Sequence, residues 1–364
     1  MIDMRLLIAA GGTGGHVFPG LAIAEELRAQ DPDSAVLFVG TVAGIEARLV
    51  PGHGYPLEVI AASGLRRVGL LGVLRGLLRL PAALLRSARI VRRFSPDVVV
   101  GIGGYASAPV VLAAALLGRP TVLAEPNSIP GLANRVLGRF ARVVCVAFES
   151  AGVAFVRRKV RVTGNPVRRG LRETAAVVPR DGGSAPALLV MGGSQGARGL
   201  NRLVADALLL LARRSVAFRA THQVGAADLD AMRARYAEAG IAVETTAFID
   251  DVAAAYRRAD LVIARSGATT VAELEVTGRP AVLVPYPFAV DDHQWHNARP
   301  LVDAGAALSF REGDTTPERL ADELSALLAD GSRRARMAGA MAARGRPDAA
   351  ARILEECRRV ARCA

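Results

Sequence analysis

Two stretches of the chain share one pattern, in which a short apolar run enters a group of glycines and continues into a helix. The first is Leu6–Gly20, with four glycines within Gly11–Gly15. The second combines the apolar run Ala187–Met191, the glycine loop Gly192–Ala197 and a helical pattern over Leu200–Leu211. Apolar runs of this length bounded by glycine predict buried parallel strands. The duplication therefore predicts two doubly wound α/β domains.

Length and spacing agree with two domains facing each other across a cleft. The chain has 364 residues, of which 51% are hydrophobic, enough for two cores. A loop-like stretch from about Arg172 to Pro186 lies between the two patterns. We expect a first domain over residues 1–165 and a second over 166–345, with a C-terminal helix at about 346–364 packing back. The further predicted strands are Ala35–Val39, Val98–Ile102, Thr121–Ala124, Val143–Ala147, Phe218–His222, Val243–Phe248, Leu261–Ala264 and Ala281–Pro285.

The chain is strongly basic, with a formal net charge of +12, and nearly all of its cations are arginines because Lys159 is the sole lysine. Such a charge suits an anionic membrane surface, a phosphorylated ligand or a nucleic acid. Aromatic residues make up only 4% of the chain, which disfavours a platform that stacks single-stranded bases. The missing GK[ST] sequence excludes a P-loop.

Cysteine spacing and hydropathy indicate the cytosol. Cys145, Cys357 and Cys363 show no CxxC spacing, which fits neither a disulfide framework nor a zinc site. We expect no signal peptide. The uncharged window Val98–Gly118 approaches membrane-spanning length, but glycines and a proline interrupt it, so it predicts a strand, a turn and the helix Pro109–Leu117.

Ser63–Arg93 interleaves leucines with arginines, and no acidic residue lies between Glu58 and Asp97. Pro81 predicts a break between two helices here. The helices either pack on the sheet with their arginines in solvent, or present a basic, leucine-rich face to anionic lipid headgroups. The absence of acidic residues favours the lipid-facing interpretation, because ordinary surface helices mix both signs of charge.

The first glycine loop has two interpretations. Its N–H groups and the helix dipole predict an anion site, with His16 placed to accept a proton. The alternative is a plain turn with a capping histidine. A dinucleotide site would need an acidic residue after the second strand, where Gly40 and Thr41 stand, and Glu46 lies too far into the next segment. This pattern argues against an NAD enzyme.

The stretch Arg265–Glu273 is the most informative one of the second half. Small residues open a helix whose N-terminal amides can receive a phosphate, and Glu273 follows within reach of ribose hydroxyls. The alternative is a capping box with Thr270 as the N-cap. The run Asp291–Asn297 lacks the histidine spacing of a metalloprotease, and Asp31–Asp33 sits in a turn, so neither predicts a metal site.

These motifs together resemble the MurG family of glycosyltransferases, and they do so in order over nearly the whole chain. The segments that carry the resemblance are Gly11–His16, Gly103–Ser107, Gly192–Ala197, Phe248–Asp251, Arg265–Glu273 and Asp291–Asn297. The resemblance implies a GT-B fold, with two Rossmann-like domains that hold the lipid acceptor and the UDP-sugar, respectively. It also implies inversion at the anomeric carbon and no cofactor or essential metal.

The family's donor contacts map onto this sequence residue by residue. They fall on Thr13, Gly14, Gly15, Asn127, Arg168, Ser194, Gln195, Ile249, Arg265, Ala268, Thr269, Thr270, Val271, Ala272, Glu273 and Gln294. The family often has a histidine where this chain has Ala124. The catalytic candidates are therefore His16, Glu125 and Tyr105, and the general base is either His16 or Glu125.

The function implied by the resemblance is transfer of N-acetylglucosamine from UDP-N-acetylglucosamine to the C4 hydroxyl of undecaprenyl-diphospho-muramoylpentapeptide. We expect a peripheral enzyme on the cytoplasmic face of the cell membrane that contacts anionic lipids and no nucleic acid. One alternative is a GT-B transferase that uses a UDP-hexose on another acceptor. A second is a non-catalytic protein that binds anionic lipids or nucleic acid, but it leaves the glycine loops and Glu273 unexplained.

Overall fold

A computed structural model describes residues 4–61, 69–173, 185–193 and 196–363, with the backbone alone described over 69–79. The chain forms two compact units. The first unit comprises Met1–Arg169 and Arg346–Ala364, and the second comprises Gly170–Gly345. Each unit has its own parallel sheet with helices on both faces.

The first unit contains a seven-stranded sheet in the order β3-β2-β1-β4-β5-β6-β7, and each neighbouring pair runs parallel. Its strands are β1 (Arg5–Ala10), β2 (Ala35–Gly40), β3 (Leu57–Val59), β4 (Val98–Gly103), β5 (Thr121–Glu125), β6 (Val143–Val146) and β7 (Val160–Val162). The helices between them are α1 (Gly14–Gln30), α2 (Glu46–Gly52), α3 (Gly69–Phe94), α4 (Ser107–Leu116) and α5 (Leu132–Leu137).

The second unit repeats this plan with a six-stranded parallel sheet in the order β10-β9-β8-β11-β12-β13. Its strands are β8 (Ala187–Met191), β9 (Arg219–Gln223), β10 (Val243–Thr246), β11 (Leu261–Ala264), β12 (Ala281–Leu283) and β13 (Ala307–Ser309). The helices are α6 (Arg169–Arg172) at the boundary, then α7 (Arg198–Arg213), α8 (Leu229–Glu238), α9 (Val252–Arg258), α10 (Ala268–Thr277), α11 (His293–Asp303), α12 (Pro317–Ala329) and α13 (Gly331–Ala342).

Both sheets are doubly wound, as the sequence predicted. The chain moves outward from a central strand and then crosses to that strand's other side, so that β1 pairs with β4 and β8 pairs with β11. Loops that follow such a pair diverge to opposite faces and leave a crevice at the carboxyl ends of the strands. The glycine loops after β1 and β8 lie at these two positions.

The core of the first unit lies on both faces of its sheet because its strands alternate between two apolar layers. Leu6 and Ile8 of β1 pack in the layer that contains α1, whereas Leu7 packs in the layer with α4. The final helix, α14 (Ala349–Arg362), completes the first layer with Ile353, Leu354, Cys357 and Val360. The C-terminal segment therefore belongs to the core of the first unit.

The prediction of two helices within Ser63–Arg93 is wrong for the described part. α3 is one helix of 26 residues, and Pro81 lies inside it. A proline removes a single helical hydrogen bond, and tertiary packing outweighs that loss here because Ala83, Ile90 and Val91 are buried. None of the helices in the described residues is long and apolar enough to cross a membrane.

His222 makes the stability of the second unit depend on pH. It is fully buried in β9, its Nδ1 lies 2.7 Å from Tyr236 Oη, and burial lowers its pKa to about 4. Below the ordinary histidine pKa of about 6.5, the unfolded chain binds a proton that the folded chain does not. The stabilisation that depends on a neutral His222 is therefore complete above about pH 6.5 and is lost as the pH falls toward 4.

We expect the free energy of unfolding to fall by about 2 kcal/mol between pH 7 and pH 5 because of His222. Urea unfolding of wild type and His222→Gln at both pH values measures this contribution, and the variant should show a shallower pH dependence. Tyr236→Phe is the control, because it leaves the imidazole buried and should keep the wild-type slope. Equal slopes for wild type and His222→Gln would contradict the assignment.

Candidate active site

The loop after β1 brings His16 to the carboxyl edge of the first sheet. Thr13 precedes the first residue of α1, and its Oγ1 lies 3.3 Å from His16 Nδ1. The half-buried imidazole lies against the loop after β4, since a Cβ atom on Gly103 would come within 3.2 Å of His16 Nε2. Gly103 has a φ of +117°, so this close approach and the backbone conformation both require glycine.

Tyr105 joins the same group from the loop after β4. A Cβ atom on Gly12 would lie 3.0 Å from Tyr105 Cε1, so the tyrosine ring covers the glycine loop. Thr13 and His16, which follow β1, and Tyr105, from the loop after β4, therefore lie near one another where these two strands end.

A buried carboxylate that sequence reasoning dismissed lies beneath this loop. Glu46, at the start of α2, is only 1% exposed. It accepts hydrogen bonds from Gly12 N at 3.0 Å, Thr41 N at 2.8 Å and Thr41 Oγ1 at 2.8 Å. The Gly12 N–H therefore donates to a side chain of the protein. In the sequence, Glu46 closely follows Gly40 and Gly44, and the backbones of both glycines pack against its side chain. These two glycines are the sequence signal that could have identified Glu46.

Glu125 organises the loop between β5 and α5. It is 3% exposed, and its two oxygens accept hydrogen bonds from Asn127 N (2.9 Å), Asn127 Nδ2 (3.4 Å), Gly131 N (3.2 Å) and Asn134 Nδ2 (2.9 Å). Desolvation by burial raises the pKa of this carboxyl group, and the hydrogen bonds act in the opposite direction. Glu125 therefore fixes the position of Asn127, one of the predicted donor contacts.

Arg168 lies beside α1 in the first unit. Its guanidinium carbon is 4.6 Å from the centroid of the Phe18 ring, a cation–π arrangement that orients the side chain. Phe18 lies in the first part of α1, just after His16. The sequence Asn165-Pro166-Val167-Arg168 therefore places its arginine near the helix that follows the first glycine loop.

In the second unit, α10 begins where β11 ends. Gly267 is the N-cap and Ala268 the first helical residue, so the capping-box alternative with Thr270 as N-cap is wrong. The first-turn amides of Ala268, Thr269 and Thr270 lie at the carboxyl edge of the sheet, the arrangement that binds phosphate in other α/β proteins. Val271 and Ala272 are buried in the same helix.

Glu273 occupies the second turn of α10 and is 7% exposed. The buried Tyr256 on α9 donates its hydroxyl to Glu273 Oε2 at 3.2 Å. A charge-assisted hydrogen bond of this kind restricts the carboxylate to a narrow range of positions. Sequence reasoning missed Tyr256, because a tyrosine within an alanine- and arginine-rich helix carries no distinguishing pattern.

Arg265 is tied to the protein chain. It is 7% exposed, and its Nη1 donates to the carbonyl oxygens of Val284 (3.0 Å) and Pro285 (3.1 Å) while Nη2 pairs with Glu312. These bonds hold the end of β12 in place. The chain then leads to α11, where Gln294 Oε1 accepts a hydrogen bond from Tyr286 N at 2.9 Å.

The remaining predicted residues have different outcomes. Ile249 is half-buried in the loop after β10, next to the N-cap Asp251. Ser194 and Gln195 lie outside the described residues. In the run considered for metal binding, Asp292 pairs with Arg311 at 2.6 Å. In the part of the chain that the structure describes, no group of three or more His, Cys, Asp or Glu is arranged to hold a metal ion.

Two doubly wound units, each with a glycine loop and a helix N-terminus at the carboxyl edge of its sheet, form the GT-B fold, and the family models make the chain a glycosyltransferase. Family models agree in each half: the glycosyltransferase family 28 N-terminal domain matches residues 6–146, and its C-terminal domain matches residues 187–353. The chain belongs to glycosyltransferase family 28.

Curated relatives match this chain over nearly their full length. Two of them are named UDP-N-acetylglucosamine--N-acetylmuramyl-(pentapeptide) pyrophosphoryl-undecaprenol N-acetylglucosamine transferase. The one from Myxococcus xanthus is 48% identical over 97% of this chain and 92% of its own length. The one from Anaeromyxobacter sp. strain Fw109-5 is 50% identical over 99% of this chain and 94% of its own length.

Solved structures support the same fold. The crystal structure of Acinetobacter baumannii MurG has a TM-score of 0.78 and 33% identity, and the match covers 98% of this chain and 99% of that one. A Neisseria meningitidis UDP-GlcNAc 2-epimerase bound to UDP-GlcNAc shares the fold alone, with a TM-score of 0.67, 14% identity and coverage of 97% of this chain and 99% of that one. The resemblance to the MurG family predicted from the motifs is confirmed.

Proposed function

We propose that this chain transfers N-acetylglucosamine from UDP-N-acetylglucosamine to the C4 hydroxyl of undecaprenyl-diphospho-muramoylpentapeptide, with inversion at the anomeric carbon. The observation that carries the proposal is 48–50% identity, over 97–99% of the chain, to transferases named for this donor and acceptor. The group of His16, Thr13 and Tyr105 at the end of β1 and β4 provides side chains suited to the chemistry.

In this proposal the second unit binds the nucleotide. The N-terminus of α10 stabilises the leaving diphosphate, and Glu273, held by Tyr256, binds the ribose hydroxyls. The backbone of Ile249 contacts the uracil, and Gln294 contacts the donor. The resemblance to the family adds further donor contacts, with Ser194, Gln195 and Arg168 toward the diphosphate, Thr13, Gly14 and Gly15 toward the sugar, and Asn127 toward the donor.

We infer that His16 is the general base, rather than Glu125. An inverting transfer needs one group that removes the proton of the attacking hydroxyl. Burial raises the pKa of Glu125, but its oxygens already accept four hydrogen bonds, which leaves them poorly placed to take a further proton. The half-buried His16 imidazole lies at the sheet edge, where Thr13 and Tyr105 also lie.

A transfer assay with labelled UDP-N-acetylglucosamine and a short-chain analogue of the muramyl lipid tests both proposals. We expect wild type to transfer the sugar and His16→Ala to lose about 10²- to 10⁴-fold in kcat, the usual contribution of a general base. His53→Ala is the control, because this exposed histidine lies outside the site. Absence of wild-type turnover would refute the substrate assignment, and unchanged turnover in His16→Ala would refute the assignment of the base.

Tyr256→Phe tests the ribose contact. Removing the hydroxyl takes away one hydrogen bond that positions the Glu273 carboxylate, so we expect the KM for UDP-N-acetylglucosamine to rise about 10-fold with little change in kcat. The effect should shrink with donor analogues that lack a ribose hydroxyl, because these cannot use Glu273. Tyr236→Phe removes the other hydroxyl of a buried tyrosine in this unit and should leave the KM unchanged. A Tyr256→Phe enzyme with the wild-type KM would contradict the proposed contact.

We propose that the enzyme binds the cytoplasmic face of the membrane through α3 and α4, which pack against each other. Leu80, Leu85 and Leu116 are exposed large apolar residues of these helices, with exposures of 46%, 60% and 69%. Arg89 and Arg92 of α3 are also exposed. Apolar side chains beside arginines suit the headgroup region of anionic lipids.

Replacing Leu80, Leu85 and Leu116 together with serine should weaken binding to vesicles of phosphatidylglycerol and phosphatidylcholine by about 10-fold or more, since three apolar insertions are lost. Cosedimentation measures this binding, and UDP affinity measured by calorimetry should stay the same. Vesicles of phosphatidylcholine alone provide the charge control and should bind wild type less tightly. Equal sedimentation of the variant and wild type would rule out this surface.

A further inference from the structure

The buried Glu46 carboxylate connects two loops at the carboxyl edge of the first sheet. Its partners are Gly12, in the loop after β1, and Thr41, in the loop after β2. A buried carboxylate is tolerated where its oxygens are satisfied by well-placed donors, and removing a donor leaves its charge uncompensated. The two loops are therefore held in the arrangement that the carboxylate requires.

The space around this carboxylate is closed by glycine backbones. A Cβ atom on Gly11 would meet Glu46 Oε1 at 2.8 Å and the Ala106 side chain at 2.9 Å. Cβ atoms on Gly40 and Gly44 would overlap the Glu46 side chain. The glycine loop therefore rests directly on the carboxylate, and any displacement of Glu46 displaces the turn at Gly11 and Gly12.

The turn at Gly11 and Gly12 sets the positions of Thr13 and His16. Gly12 has a φ of +94°, and the next residue, Thr13, is the N-cap of α1 and contacts His16. Because its N–H donates to Glu46, Gly12 is directed toward the protein, away from the ligand side of the loop.

We propose that Glu46 is a positioning residue for the transfer reaction, which acts by holding the Gly11–Gly12 turn so that Thr13 and His16 stay in their reactive positions. This inference rests on the proposed function. Glu46 itself is buried and does not touch the substrate. Its effect should therefore appear in the rate of transfer and in the order of the loop, while nucleotide affinity, which depends on the second unit, is retained.

Glu46→Gln tests the proposal, because glutamine has the same shape but offers one acceptor oxygen in place of two. We expect kcat to fall about 10- to 100-fold, the effect of a displacement of about 1 Å in a catalytic group. The calorimetric affinity for UDP, which lacks the sugar that the Thr13–Gly15 loop contacts in the proposed site, should stay within about twofold of wild type. Thr41→Val is the matched control, since it removes one donor to the same carboxylate but retains the bond to Gly12.

Hydrogen–deuterium exchange gives a readout that does not depend on activity. The Gly12 amide should exchange faster in Glu46→Gln and remain protected in Thr41→Val, so the inference can be judged even if wild type fails to transfer the sugar. If Glu46→Gln does not fold, Gly11→Ala displaces the loop from the carboxylate and should produce the same loss of kcat. Wild-type kcat and exchange in Glu46→Gln, or equal losses in both Glu46→Gln and Thr41→Val, would overturn the proposal.

Discussion

The parallel pairing of β1 with β4, repeated as β8 with β11, is the constraint on which both units depend. In each sheet the chain reverses its direction of winding at this pair, so the following loops diverge and leave their backbone groups accessible. Glycine loops and helix N-termini lie at both places. The chemistry of the molecule follows from this shared geometry, which holds for each unit taken separately.

Buried acidic and basic side chains shape the loops at these edges. Glu46 and Glu125 accept several hydrogen bonds each in the first unit, and Arg265 donates to two carbonyl groups and pairs with Glu312 in the second. Their partners are mostly backbone atoms. Each of these side chains therefore fixes the path of a loop, and the groups left to meet a ligand are its neighbours, such as His16, Asn127 and Gln294.

Strands with strong apolar runs were predictable to within a residue or two, since β8 and β11 match their predicted bounds and β4 extends one residue further. The short strands β3, β7 and β13 have three residues each and carry no such run, so they were missed. Pro81 misled the prediction of α3 because local propensity ignores packing on the neighbouring helix.

The sequence by itself determined the doubly wound architecture of both units, the two glycine loops and the family, because periodic apolar runs and ordered motifs are local signals. Only the tertiary structure decided that Glu46 supports the first glycine loop and that Tyr256 donates a hydrogen bond to Glu273. It also decided that the oxygens of Glu125 accept hydrogen bonds from the loop that follows β5. These contacts join residues from separate elements whose side chains meet only after the sheets form. No spacing along the chain encodes them, since they depend on which strands become neighbours.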